Sequence, residues 1–167
     1  MTDLLTDACV ILFPEFLLQA TEWTDSFSRT CALVVGINKY KKHDPLKNAV
    51  KDAKAVEEGL RSVKVDRITS ALDCDIKELT EKINEFSSKL RKDDVAIVYL
   101  AAHGAMYRNR HVFLTTTSTH ENIRETSLSV QELLTMLVTG YLACTLTFDS
   151  YDSCASKCAA LHSTVRD

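Results

Sequence analysis

Apolar residues along this chain come in two rhythms. The run Cys31-Ala-Leu-Val-Val-Gly36 is short and unbroken, and Val95-Ala-Ile-Val-Tyr-Leu100 repeats its character. A strand buried on both faces of a parallel sheet reads this way. Elsewhere the spacing widens. Leu46, Ala49, Val50, Ala53, Val56 and Leu60 recur at helical intervals, and so do Ile76, Leu79, Ile83, Phe86 and Leu90. One apolar stripe per 3.6 residues predicts amphipathic helices over 46–63 and 75–90. Further strands are expected over 65–72, 111–115 and 143–148. Ser129, with Glu132 three residues later, has the form of a capping box and predicts a helix over 129–138. The order strand, helix, strand, helix, strand, short strand, helix, strand predicts an α/β fold. Its sheet is mostly parallel, with helices on both faces.

Residues 1–29 stand apart as a leader. Leu4, Leu5, Ala8, Leu12, Phe16 and Leu17 keep a rough helical spacing that Pro14 interrupts. A docking helix and a weakly ordered arm both fit. Residues 30–157 form the expected domain, and 158–167 a short tail.

At 167 residues the chain suits one domain with a substantial core. Twenty basic against 23 acidic residues give a net charge of −3, which excludes a nucleic-acid binder recognised by bulk charge. The apolar stretch from Ala8 to Leu18 is broken by Pro14 and Glu15 and follows no basic segment, so neither a signal peptide nor a membrane span is expected. A cytoplasmic protein with six reduced cysteines follows as the expectation. Cys31 and Cys144 fall inside apolar runs and read as buried thiols.

Ligands of parallel α/β sheets bind at the carboxyl ends of the strands. Chemistry is therefore expected after Gly36, Leu100 and Phe148. Those places carry Asn38-Lys39-Tyr40, Ala101-Ala-His103-Gly104 and Asp149-Ser-Tyr-Asp-Ser-Cys154. A histidine at a strand end is a candidate general base, because its ordinary pKa is near neutral. Cys154, on a neighbouring strand end, is a candidate nucleophile if it meets His103. A turn histidine and an inert thiol fit the same residues taken singly. Cys154, Cys158 and His162 sit four apart but lack a fourth ligand, so no metal site is assigned.

Four segments carry a resemblance. They are Ala32-Leu-Val-Val-Gly-Ile-Asn-Lys-Tyr40, Leu46-Lys-Asn-Ala-Val-Lys-Asp-Ala-Lys-Ala-Val56, Asp93-Asp-Val-Ala-Ile-Val-Tyr-Leu-Ala-Ala-His-Gly104 and Thr147-Phe-Asp-Ser150. In this order they resemble the caspase-like peptidase clan, metacaspases and paracaspases above all, over roughly residues 31–153. The resemblance implies the large-subunit part of a three-layer caspase-like sandwich. It makes His103 the catalytic histidine and the Gly104 N–H an oxyanion donor. It also implies an endopeptidase that cuts after basic residues, with Asp52 and Asp149 in the pocket for the substrate's cation.

The nucleophile motif departs from the family's pattern. In the favoured register Asp149-Ser150 opens the motif, and Tyr151 stands where the cysteine belongs. In the other, Asp152-Ser153-Cys154-Ala155-Ser156 carries the thiol but ends in Lys157 instead of glycine. The two registers imply different partners: a peptide or protein substrate for an enzyme, or an active caspase-like chain for a catalytically dead homologue that regulates it. The chain also ends soon after the motif, so three expectations stand: the small-subunit portion is absent, it is supplied by a separate chain, or the sequence is a truncated product. The resemblance allows calcium as a cofactor, but the spacing of Asp73, Asp75, Asp93 and Asp94 matches no oxygen-ligand loop.

Overall fold

Strand β1 (Arg29–Gly36) forms on the first apolar run, between β2 (Arg67–Leu72) and β3 (Asp94–Tyr107), and is parallel to both. The computed structural model describes residues 29–91, 94–137, 141–150 and 159–163, the last two stretches as backbone. On its other edge β3 pairs in parallel with β6 (Tyr141–Ser150), from Val95↔Tyr141 to Gly104↔Ser150. These four parallel strands are the centre of the sheet. Three antiparallel additions extend it: β4 (Arg110–Leu114) on the end of β3, β5 (Ser127–Ser129) on β4, and β7 (Ala159–Ser163) on β6.

The helices make the outer layers. Helix α1 (Ala49–Ser62) buries Ala49, Ala53, Val56 and Leu60 in a cluster with Ala32, Val34, Ile97 and Tyr99. On the opposite face, Leu79, Ile83 and Phe86 of α2 (Ile76–Ser88) and Leu133 of α4 (Val130–Met136) pack with Leu33, Val35, Val98 and Leu100. Alternate residues of one strand thus feed two cores, as the pleat requires. Each large aliphatic side chain removed from water contributes about 1.5–3 kcal/mol. The capping box expected at Ser129 and Glu132 is present at the start of α4, and Asp75 with Glu78 forms a second at α2. A one-turn helix α3 (Ile123–Thr126) precedes β5.

Two expectations about strand ends are corrected. β3 continues past Leu100, through His103, to Tyr107. The reason lies in its partners. β1 stops pairing at Gly36↔Ala101, and β4 takes up from Gly104↔Phe113. Arg108 and Asn109, with φ of 47° and 62°, make the tight left-handed turn that folds β4 back. Likewise β6 runs two residues beyond Phe148, to Ser150. Among the described residues no helix is long and apolar enough to cross a membrane.

Candidate active site

Three loops meet beyond the carboxyl end of β1. Asp73, just after β2 and at φ 49°, accepts the amides of Asn38 at 2.7 Å and Lys39 at 3.0 Å. Burial pushes its carboxyl up, but these amides and the Lys39 ammonium outweigh burial and hold it below the usual carboxylate range. Asn38 is committed twice more. Its Oδ1 accepts the Val50 N–H at 3.0 Å, capping α1 from a distance, while Asn48 at the cap position makes no side-chain bond. Its carbonyl accepts the Leu46 N–H, closing the loop 37–48 on itself. Lys41 N–H then bonds Thr116 O, and Thr116 N–H bonds Cys74 O.

His103 lies under this stitched loop, 5% exposed. Its Nε2 is 2.8 Å from the Asp44 carbonyl oxygen. A carbonyl only accepts, so in the neutral ring the proton sits on Nε2 and the lone pair on Nδ1. That is the tautomer a base needs if it takes a proton at Nδ1. The Tyr40 ring lies against the imidazole, with centroids 4.6 Å apart and planes at 45°. His43 stands 6.4 Å from His103 and 5.5 Å from His120, centroid to centroid. Burial, followed by His120 and His103, keeps the His43 pKa below the ordinary value, so His43 is held towards its neutral form.

The register of the sheet decides what stands beside this histidine. His103 pairs with Asp149, and Gly104 with Ser150, on neighbouring parallel strands. Histidine and Asp-Ser segment therefore reach the same level of the same rim. Successive amides of a strand alternate between its edges. The His103 N–H serves the β1 edge, where it bonds Tyr40 Oη, so the Gly104 N–H is directed to the β6 edge. Asp52 occupies the first turn of α1, the end that Asn38 ties to the rim. Its carboxyl is half-buried and accepts no hydrogen bond among the described residues. Burial raises its pKa, with Lys51 opposing. Tyr151, Cys154 and residues 1–28 of the leader lie outside the described residues.

The two described free thiols are not rivals for the nucleophile. Cys31 and Cys74 are buried, and burial pushes Cys31 up and Cys74 to about 11. No group of three or more metal-binding side chains occurs among the described residues. A hollow of about 460 Å³ lined by Arg29, Asp66, Arg67, Lys89 and Arg91 opens at the amino ends of the strands, the end away from His103. Sequence reasoning did not single out Asp44, His43 or His120, and weighed Asp73 only as a calcium ligand. Asp44 acts through a carbonyl, which no residue type signals, and the others meet only through loop packing.

A parallel α/β sheet with a buried, oriented imidazole on its carboxyl rim defines the class of fold. Its particular kind is shown by sequence: residues 29–149 match the Caspase domain family, and the chain belongs to that family. No curated protein matches it. The crystal structure of protein GSU0716 from Geobacter sulfurreducens is similar in fold, with a TM-score of 0.56 at 14% identity over 73% of this chain. The chain spans 50% of that protein's length.

Proposed function

We propose that the domain is a cysteine-type endopeptidase of the caspase-like clan, with His103 as general base and Cys154 as nucleophile. The observation that carries this reading is the parallel register His103↔Asp149, together with the Asp44 carbonyl that places the imidazole proton on Nε2. The thiol proton passes to Nδ1, and the thiolate attacks the substrate carbonyl. The Gly104 N–H and the nucleophile's own amide hold the oxyanion. The C–N bond breaks as the imidazolium returns its proton to the leaving amine, and water hydrolyses the acyl-enzyme. Asp52, half-buried and without a hydrogen-bond donor among the described residues, supports a pocket for arginine or lysine, with Asp149 as its second carboxylate. A cytoplasmic setting belongs to the same proposal, and no cofactor is assigned.

One observation favours a second reading. β6 stays in register with β3 as far as Ser150, and Tyr151 follows directly in sequence. A phenol, with a pKa near 10, cannot replace a thiolate. In that case the chain is a non-catalytic homologue that binds and regulates an active relative.

A thiol-reactive peptide electrophile with arginine at its first position separates the two. The enzyme reading expects one adduct, at Cys154 by mass spectrometry, lost in both Cys154→Ala and His103→Ala. An intact fold with no adduct at any cysteine overturns it in favour of the regulator.

A further inference from the structure

In a regular parallel ladder, a residue that donates to one carbonyl across the gap accepts from the amide two residues further along. Ile37 donates to the Ala101 carbonyl at 2.9 Å, so its own carbonyl is due the amide of His103. That bond is not made directly. The His103 N–H donates to Tyr40 Oη at 2.9 Å, and Tyr40 Oη donates to the Ile37 carbonyl at 3.0 Å. A phenol hydroxyl is spliced into the ladder where a backbone bond would close it.

We propose that Tyr40 is a positioning residue for His103, and that its hydroxyl wedges β1 from β3 to set the imidazole's place on the rim. This rests on the peptidase reading for its catalytic consequence. The splice falls in the one interval where β3 changes partner on this edge, between Gly36↔Ala101 and Gly104↔Phe113. A direct bond there would draw β3 and the loop 37–48 together by about the width of a hydroxyl group, roughly 2–3 Å. The same phenol ring, 4.6 Å from the imidazole, limits its rotation, and the Asp44 carbonyl holds its far nitrogen. Asp73 in turn anchors the two amides just before Tyr40. The imidazole is thus held at its backbone, its face and its Nε2.

Tyr40→Phe keeps the ring and removes the splice. Turnover of a fluorogenic peptide with arginine before the scissile bond is expected to fall about 10-fold to 100-fold in kcat, with KM unchanged within about twofold. The His103 amide resonance is expected to shift and to exchange at least about tenfold faster, while the amides of Leu33 and Val98 do not. A variant with lower Tm but the same kcat and the same His103 amide overturns the proposal. So does a wild-type His103 amide that exchanges as freely as an exposed loop amide, a result that needs no variant. If the wild-type protein turns over no peptide and takes up no thiol electrophile, the peptidase reading fails, and the exchange data alone decide the splice.

Discussion

Asp73 shows how one side chain can organise a rim. Replacing it with alanine leaves the amides of Asn38 and Lys39 without their acceptor and removes the short polar side chain whose hydrogen bonds make φ 49° tolerable. Together these are expected to cost about 2–3 kcal/mol in urea unfolding at pH 7. Asp73→Asn keeps an acceptor and tolerates the left-handed backbone, so its loss is expected to be about 1 kcal/mol or less. The pH dependence has a definite sign. The folded-state pKa is below the ordinary value, so the carboxylate's contribution is complete above about pH 3.9 and is lost as pH falls through the lower, folded value. The gap between wild type and Asp73→Asn is therefore expected to close in acid unfolding curves. None of this was legible in the sequence. An aspartate after a strand reads as an ordinary turn residue, and its φ and its two amide partners are set by where the loop 37–48 comes to rest. Tyr40 was visible as part of a family-like segment, but its role needed the ladder register.

At the level of elements, close contact between β1 and α1 links the fold to the site. A Cβ at Gly36 would lie 2.7 Å from the Ala49 carbonyl oxygen, 2.7 Å from Ala53 Cβ and 3.1 Å from Val50 Cα. Two of those atoms belong to the helix backbone and cannot swing away. Gly36→Ala is therefore expected to push the first turn of α1 outward, at a cost of about 1–3 kcal/mol in thermal or urea unfolding. Because Val50 N–H is the group capped by Asn38, the strain reaches the loop over His103. Exchange of the Val50 amide should therefore accelerate along with the loss of stability. Long apolar periodicities made α1, α2 and the starts of β1 and β3 legible, and the capping box did the same for α4. The end of β3 was not legible, because His103 to Tyr107 lacks an apolar run and is held in the sheet by pairing with β6 at His103 and Gly104 and with β4 from Gly104 onward. For β5 and α3, three and four residues are too few to show any period.

For the whole molecule, the sheet sorts its charges between two rims. Arg29 and Asp94 pair at the amino end, where the Arg29 guanidinium also bonds the Lys89 carbonyl. At the carboxyl end Asp73 is fully engaged, while Asp52 has no donor among the described residues. An unengaged, half-buried carboxylate costs stability in its charged form, which is useful only if something cationic arrives. On the proposed reading that is the substrate's arginine. The folded-state pKa of Asp52 is above its ordinary value because burial resists the charge. The cost is therefore absent at pH values below about 3.9 and complete once pH exceeds the raised value. Asp52→Asn is expected to raise Tm slightly at pH 7 and leave it unchanged near pH 3.5. The same variant is expected to weaken binding of an arginine-bearing peptide by roughly 10-fold to 100-fold, the scale of a hydrogen bond to a charged group. In the wild type, KM should rise as pH falls through the Asp52 midpoint, and in the variant that dependence should vanish. A variant that gains no stability at pH 7 and keeps its preference for arginine over a neutral isostere would place Asp52 outside the pocket. The acidic selection would then rest on Asp149 alone.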